Sequence, residues 1–191
     1  MKRLTIATLM IFGTIFISAA EDHVELLRES LKKLGDSYSV DLKLNMQGHE
    51  FDGGYAISGD SYYMQIGERQ EYYGDKSIRY EVTHALMEVV VDTPPKSPIT
   101  LMDDPVNAFA NLYEQFESEM SGSTLILTSK DQDGLIVSIE LTPKENLPRV
   151  ISYEMDGERV SIELGRFRQT NGKIKKFEKR DYPEFEIIDL R

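Results

Sequence analysis

The chain of 191 residues contains no cysteine and no tryptophan. Without cysteine it can form neither a disulfide nor a thiolate metal site. Without tryptophan it lacks the commonest platform for stacking a sugar ring, which weighs against a glycosidase built on its many carboxylates. Three histidines, His23, His49 and His84, show no His-x-x-x-His spacing and read as exposed or singly hydrogen-bonded side chains. Basic residues are few: 22 Lys and Arg face 33 Asp and Glu, a net charge of −11. A surface of that sign repels nucleic acid and anionic membranes. There is no Gly-x-Ser-x-Gly elbow and no glycine-rich phosphate loop ahead of a helix. Asp103-Asp104 stand immediately before Pro105 and read as a helix cap rather than an acid/base pair. Asp131, Asp133 and Gly134 lack the spaced acidic series of a calcium loop and read as a hairpin turn. The expectation is a protein that is not an enzyme, with no catalytic residue, metal or cofactor.

Long apolar runs are confined to the start of the chain. Lys2 and Arg3 precede the uncharged stretch Leu4 to Ile17, Ser18-Ala19-Ala20 supplies small residues, and Glu21 opens a polar segment. That order predicts a secretory signal peptide over residues 1–20, cleaved on export. The run is shorter than the roughly 20 residues of a transmembrane helix. Removing Lys2 and Arg3 takes the charge from −11 to −13. No cysteine follows the cleavage site, so the mature N-terminus takes no lipid. Residues 21–191 are expected to form one domain, long enough to build a core without disulfides.

In that domain Val24, Leu27, Leu31 and Leu34 mark one stripe of a helix over Asp22 to Leu34, stopped by Gly35. Val40, Leu42, Leu44 and Met46 then alternate with polar residues, the period of a half-buried strand. Further strands are predicted over Phe51–Ile57, Ser61–Ile66, Ile78–Val82 and Leu86–Val91. Asp104 and Pro105 open a second predicted helix, with Val106, Phe109, Leu112, Tyr113, Phe116 and Met120 on its apolar face and Ser121-Gly122-Ser123 ending it. Strands resume over Leu125–Thr128, Leu135–Leu141, Arg149–Met155, Val160–Leu164, from Phe167 onward, and Glu184–Leu190. The fold class is mainly β with α. It is expected as an unclosed antiparallel barrel of about ten strands with helices covering its concave face. Tyr55, Tyr62, Tyr63, Tyr72, Tyr73 and Tyr80 cluster in one third of the chain. Strand packing and the lining of an apolar ligand site both account for them. Met46, Met64, Met87, Met102 and Met120 add adaptable apolar surface.

Several segments, taken in order, resemble the LolA-type periplasmic lipoprotein carriers, in particular a LolA-like branch. They are the glycine-led Gly54 to Met64, the hairpin Tyr72-Tyr73-Gly74-Asp75-Lys76-Ser77-Ile78-Arg79-Tyr80, the strand Glu88-Val89-Val90-Val91, and Leu141-Thr142-Pro143-Lys144. The ending is the most specific: Phe177, then Tyr182-Pro183-Glu184-Phe185-Glu186-Ile187-Ile188-Asp189-Leu190-Arg191. The resemblance implies a periplasmic monomer that carries acyl chains of lipoproteins, or other lipids, in a hydrophobic cavity toward the outer membrane. It also implies an inner-membrane releasing complex and an outer-membrane acceptor as partners, and no nucleic acid. The expected lining is Leu42, Leu44, Tyr63, Ile78, Tyr80, Val82, Ile139 and Leu141, and the expected lid residues are Leu27, Leu31, Phe109, Leu112 and Phe116. Because strand faces alternate, a one-residue slip would exchange the lining face. Gly59 stands where the better-studied carriers place a lid-latching arginine. The alternative function is a lipid- or lipoprotein-sensing module that regulates a protein partner.

Overall fold

The computed structural model describes residues 19–94, 116–130, 134–155 and 157–191. The predicted signal segment before Ala19, Asp103-Asp104, Phe109, Leu112, Asp131 and Asp133 lie outside the described residues.

The first helix, α1 (Ala19–Lys32), follows the predicted stripe. Val24 and Leu27 are buried and Leu31 packs against the same cluster. Ser30 is buried too, and its hydroxyl donates to the Leu26 carbonyl at 2.9 Å, so the stripe holds no orphan donor there. Gly35, at φ +80°, takes the left-handed conformation that ends the helix. No described helix is long and apolar enough to cross a membrane.

Thirteen strands follow: β1 (Ser37–Met46), β2 (His49–Ser58), β3 (Ser61–Ile66), β4 (Gln70–Gly74), β5 (Arg79–Thr83), β6 (Glu88–Asp92), β7 (Phe116–Ser121), β8 (Thr124–Ser129), β9 (Ile136–Leu141), β10 (Pro148–Met155), β11 (Glu158–Leu164), β12 (Arg168–Gln169) and β13 (Glu186–Asp189). They form one sheet in the order β13-β6-β5-β4-β3-β2-β1-β11-β10-β9-β8-β7, with β12 also beside β1. Successive hairpins build most of it, and β1 joins the two halves by pairing with β11, Leu42 opposite Leu164. The sheet is unclosed, with β7 and β13 at its two ends.

Four expectations are corrected. Among the described residues there are thirteen strands rather than about ten. The sheet is mixed, because β13 runs parallel to β6, with Ile187 opposite Val89. Phe116 and Met120 lie on strand β7, not on a second helix, and Gly122, at φ +63°, sits in the turn to β8. Leu86 and Met87 lie in the turn before β6 rather than in a strand.

Register divides the sheet into two faces. Val40 lies opposite Tyr55, Tyr55 opposite Met64, and Met64 opposite Tyr72, so these share one face. The same face continues through Leu44 and Ile162, Ile151 and Ile139, then Leu125 and Met120. It carries the larger core, with Val24 and Leu27 of α1 against it. A run of twelve strands spans about 55 Å at the usual strand spacing. A fourteen-residue helix is only about 21 Å long. Among the described residues, the helix against this face, α1, is less than half as long as the sheet is wide.

Candidate functional site

The alternation of β3 and β4 separates the predicted lining into two groups. Leu42, Leu44, Ile139 and Leu141 belong to the larger core, together with Leu27, Leu31 and Phe116. Tyr63, Ile78, Tyr80 and Val82 belong to a second cluster on the opposite face, with Tyr73, Val89, Val91 and Tyr182. The eight residues therefore do not line one surface. On β3 it is Tyr62, 1% exposed, that joins Leu42 and Leu44, while Tyr63 faces away. This is the one-residue exchange that a period of two permits.

The helix-side face has an apolar part and a polar part. Tyr62, Met64, Ile66 and Tyr72 continue the core onto β3 and β4. On β5 and β6 the same face turns polar: Arg79 lies opposite Asp92, and Glu81 opposite Val90. The Arg79 guanidinium stands 3.7 Å from Asp92 and 3.9 Å from Glu81. Gly59, at φ +59°, occupies the turn from β2 to β3, with open space around its Cβ direction.

The opposite face is closed by the C-terminal segment. Ser58 donates to the Gly172 carbonyl at 2.8 Å, which pins the segment beside β1 and β2. It then crosses to β6, laying Phe177 flat on Tyr80 at 4.2 Å and on Tyr182 at 5.6 Å. Beneath it lies Glu71, which the sequence reading did not single out. Its carboxylate accepts hydrogen bonds from Tyr73, from Tyr63 at 3.2 Å, from Tyr182 at 3.2 Å and from Lys175 at 2.5 Å. His84 Nε2 lies 2.9 Å from its other oxygen. Lys175 and Tyr182 come from the C-terminal segment, so this carboxylate ties that segment to β4. Burial raises the Glu71 pKa, but bonds from Lys175, Tyr73 and His84 outweigh it and hold the carboxyl at about 2. Burial and the adjacent carboxylate push Tyr63 up to about 12 and raise Tyr73 further. The hydroxyls therefore stay protonated as donors at neutral pH. Donors from β3, β4 and the C-terminal segment thus converge on this one carboxylate, which ties the segment to the sheet. Among the described residues no group of three or more His, Asp or Glu side chains is placed to hold a metal ion.

No family model and no curated protein matches the sequence. Solved structures match the fold. An uncharacterized conserved protein from Thermus thermophilus aligns with a TM-score of 0.53 at 6% identity, over 88% of this chain and 98% of that one. A LolA superfamily protein from Nitrosomonas europaea aligns at 0.42 and 11% identity, over 85% and 96% of the two chains. A putative outer membrane lipoprotein-sorting protein domain from Vibrio parahaemolyticus aligns at 0.43 and 10% identity, also over 85% and 96%. At these identities the likeness is one of fold.

Proposed function

We propose that the protein is a periplasmic carrier. It binds acyl chains of lipoproteins, or other lipids, against the helix-side face of its open sheet and shuttles them toward the outer membrane. The observation that supports this most is the continuous apolar part of that face, running from Tyr72 on β4 through Leu42 and Leu44 on β1 to Leu125 on β8, with α1 against it among the described residues. An acyl chain in water costs about 0.8 kcal/mol per exposed methylene. A face of this kind offsets the cost, and moving a cover aside keeps the affinity moderate enough for release. The signal peptide predicted over residues 1–20 is part of the proposal, since it supplies export. The sequence resemblance supplies the cargo class, the inner-membrane releasing complex and the outer-membrane acceptor.

The absence of cysteine permits a direct test. A cysteine introduced on α1 and another on the adjoining part of β7 would staple the helix down. Binding of a fluorescent phospholipid should be saturable in the parent protein, lost in the oxidised double variant, and restored by reductant. Undiminished binding with the staple closed would exclude α1 as the moving cover. Absence of binding in the parent protein would reject the carrier reading.

A further inference from the structure

The turn between β5 and β6 has an unusual composition. Ala85, Leu86 and Met87 are all exposed, Leu86 at 64% and Met87 at 43%. Met87 has φ +54°. The other non-glycine residues with positive φ among those described are Gln47 and Asn146, both polar. The left-handed conformation disfavours a long side chain and suits glycine or asparagine. Here an apolar residue occupies that position and points its side chain into solvent.

The turn is also held stiffly. Leu86 N–H donates to the Thr83 carbonyl at 3.2 Å and Met87 N–H to the His84 carbonyl at 3.3 Å. The Met87 carbonyl accepts from Glu186 N–H at 2.9 Å, which ties the tip to the start of β13. His84, at its base, bonds Glu71 and meets the Tyr182 and Phe185 rings edge-on. The Leu86 and Met87 N–H groups and the Met87 carbonyl, already bonded within the fold, need no water when the tip enters a lipid phase.

We propose that Leu86 and Met87 form a wedge that inserts into a lipid surface. The surface is zwitterionic rather than anionic, because Glu88 and Glu186 stand side by side at the base of the tip on a chain of net charge −11. A convex tip with two flexible apolar side chains suits a deformable bilayer. This inference goes beyond acyl-chain carriage and does not depend on it, since adhesion to vesicles is read without any transfer of lipid.

The test is flotation of the full chain with phosphatidylcholine vesicles. The parent protein should float with them, and adding phosphatidylglycerol should reduce the bound fraction. Leu86→Ser and Met87→Asn should each lower the bound fraction, and together by about tenfold. Met87→Asn should meanwhile keep or raise the melting temperature, because asparagine accepts positive φ. Loss of flotation through misfolding would lower both. Failure of the parent protein to float, or unchanged flotation of the double variant, would overturn the proposal. So would loss of a co-purifying protein partner with flotation unaffected, which would make the tip a protein contact.

Discussion

The hydroxyls of Tyr73 and Tyr182, 109 residues apart in sequence, stand 2.6 Å from each other over the Glu71 carboxylate. This contact closes the C-terminal segment onto the sheet, and it sets the cost of disturbing that closure. Tyr182→Phe removes one hydroxyl while Tyr73 keeps its own bond to Glu71. A loss of about 1–2 kcal/mol is expected in urea denaturation. Tyr182→Ala also removes a buried ring stacked on Phe177, and should cost about 3–5 kcal/mol.

Glu71 ties stability to pH. Its carboxyl is held at about 2, below an ordinary value of 4.5. A depressed carboxyl contributes stability that is fully present above the unfolded value and is lost as pH falls through the folded one. The parent protein should therefore lose denaturation midpoint between pH 4.5 and about 2. Glu71→Gln should be weaker at neutral pH by about 1–3 kcal/mol, since the charge-assisted bonds to the buried carboxylate from Tyr73 and Lys175 are lost. The gap between the two should narrow on acidification through that window, and parallel curves would contradict this role.

Adjacent glycines in β2 should behave oppositely. A Cβ on Gly53 would meet the Gln65 carbonyl oxygen at 2.3 Å and Leu42 Cδ1 at 2.9 Å. One on Gly54 would meet nothing nearer than 3.9 Å. Gly53→Ala should cost about 2–3 kcal/mol through forced separation of β2 and β3. Gly54→Ala should change stability by less than about 1 kcal/mol. Thermal denaturation of the pair separates local crowding from a general effect of alanine in the strand.

Truncation before Lys173 should uncover Tyr73, Val82, Val89 and Val91, which the C-terminal segment covers with Phe177, Tyr182 and Phe185. The shortened chain is expected to bind a hydrophobic dye and to aggregate. Dye binding equal to that of the full chain would show that this face needs no cover.

Local periodicity made α1 and most hairpins legible, because apolar spacing and turn residues agreed there. It failed at β7 for a geometric reason. Phe116 and Met120 are four apart, which places them on one face of a helix and equally on one face of a strand. The deciding signal was the alternation of Glu117 and Glu119 with them, both exposed in the folded strand. Tyr62-Tyr63 gave two adjacent candidates for one lining position, and only the pairing of Tyr62 with Ile57 assigns the face. Glu71 carried no local signal at all. Its significance comes from Lys175 and Tyr182, 104 and 111 residues further on. The parallel pairing of β13 with β6 is equally non-local.

The central claim is that the helix-side face holds acyl chains. Native mass spectrometry of the protein isolated from a periplasmic extract, followed by lipid extraction, tests it most directly. The account predicts a bound population carrying lipoprotein or phospholipid acyl chains, and their transfer to acceptor vesicles. A protein recovered with no acyl-chain ligand, and unable to take one up from donor vesicles, would contradict it.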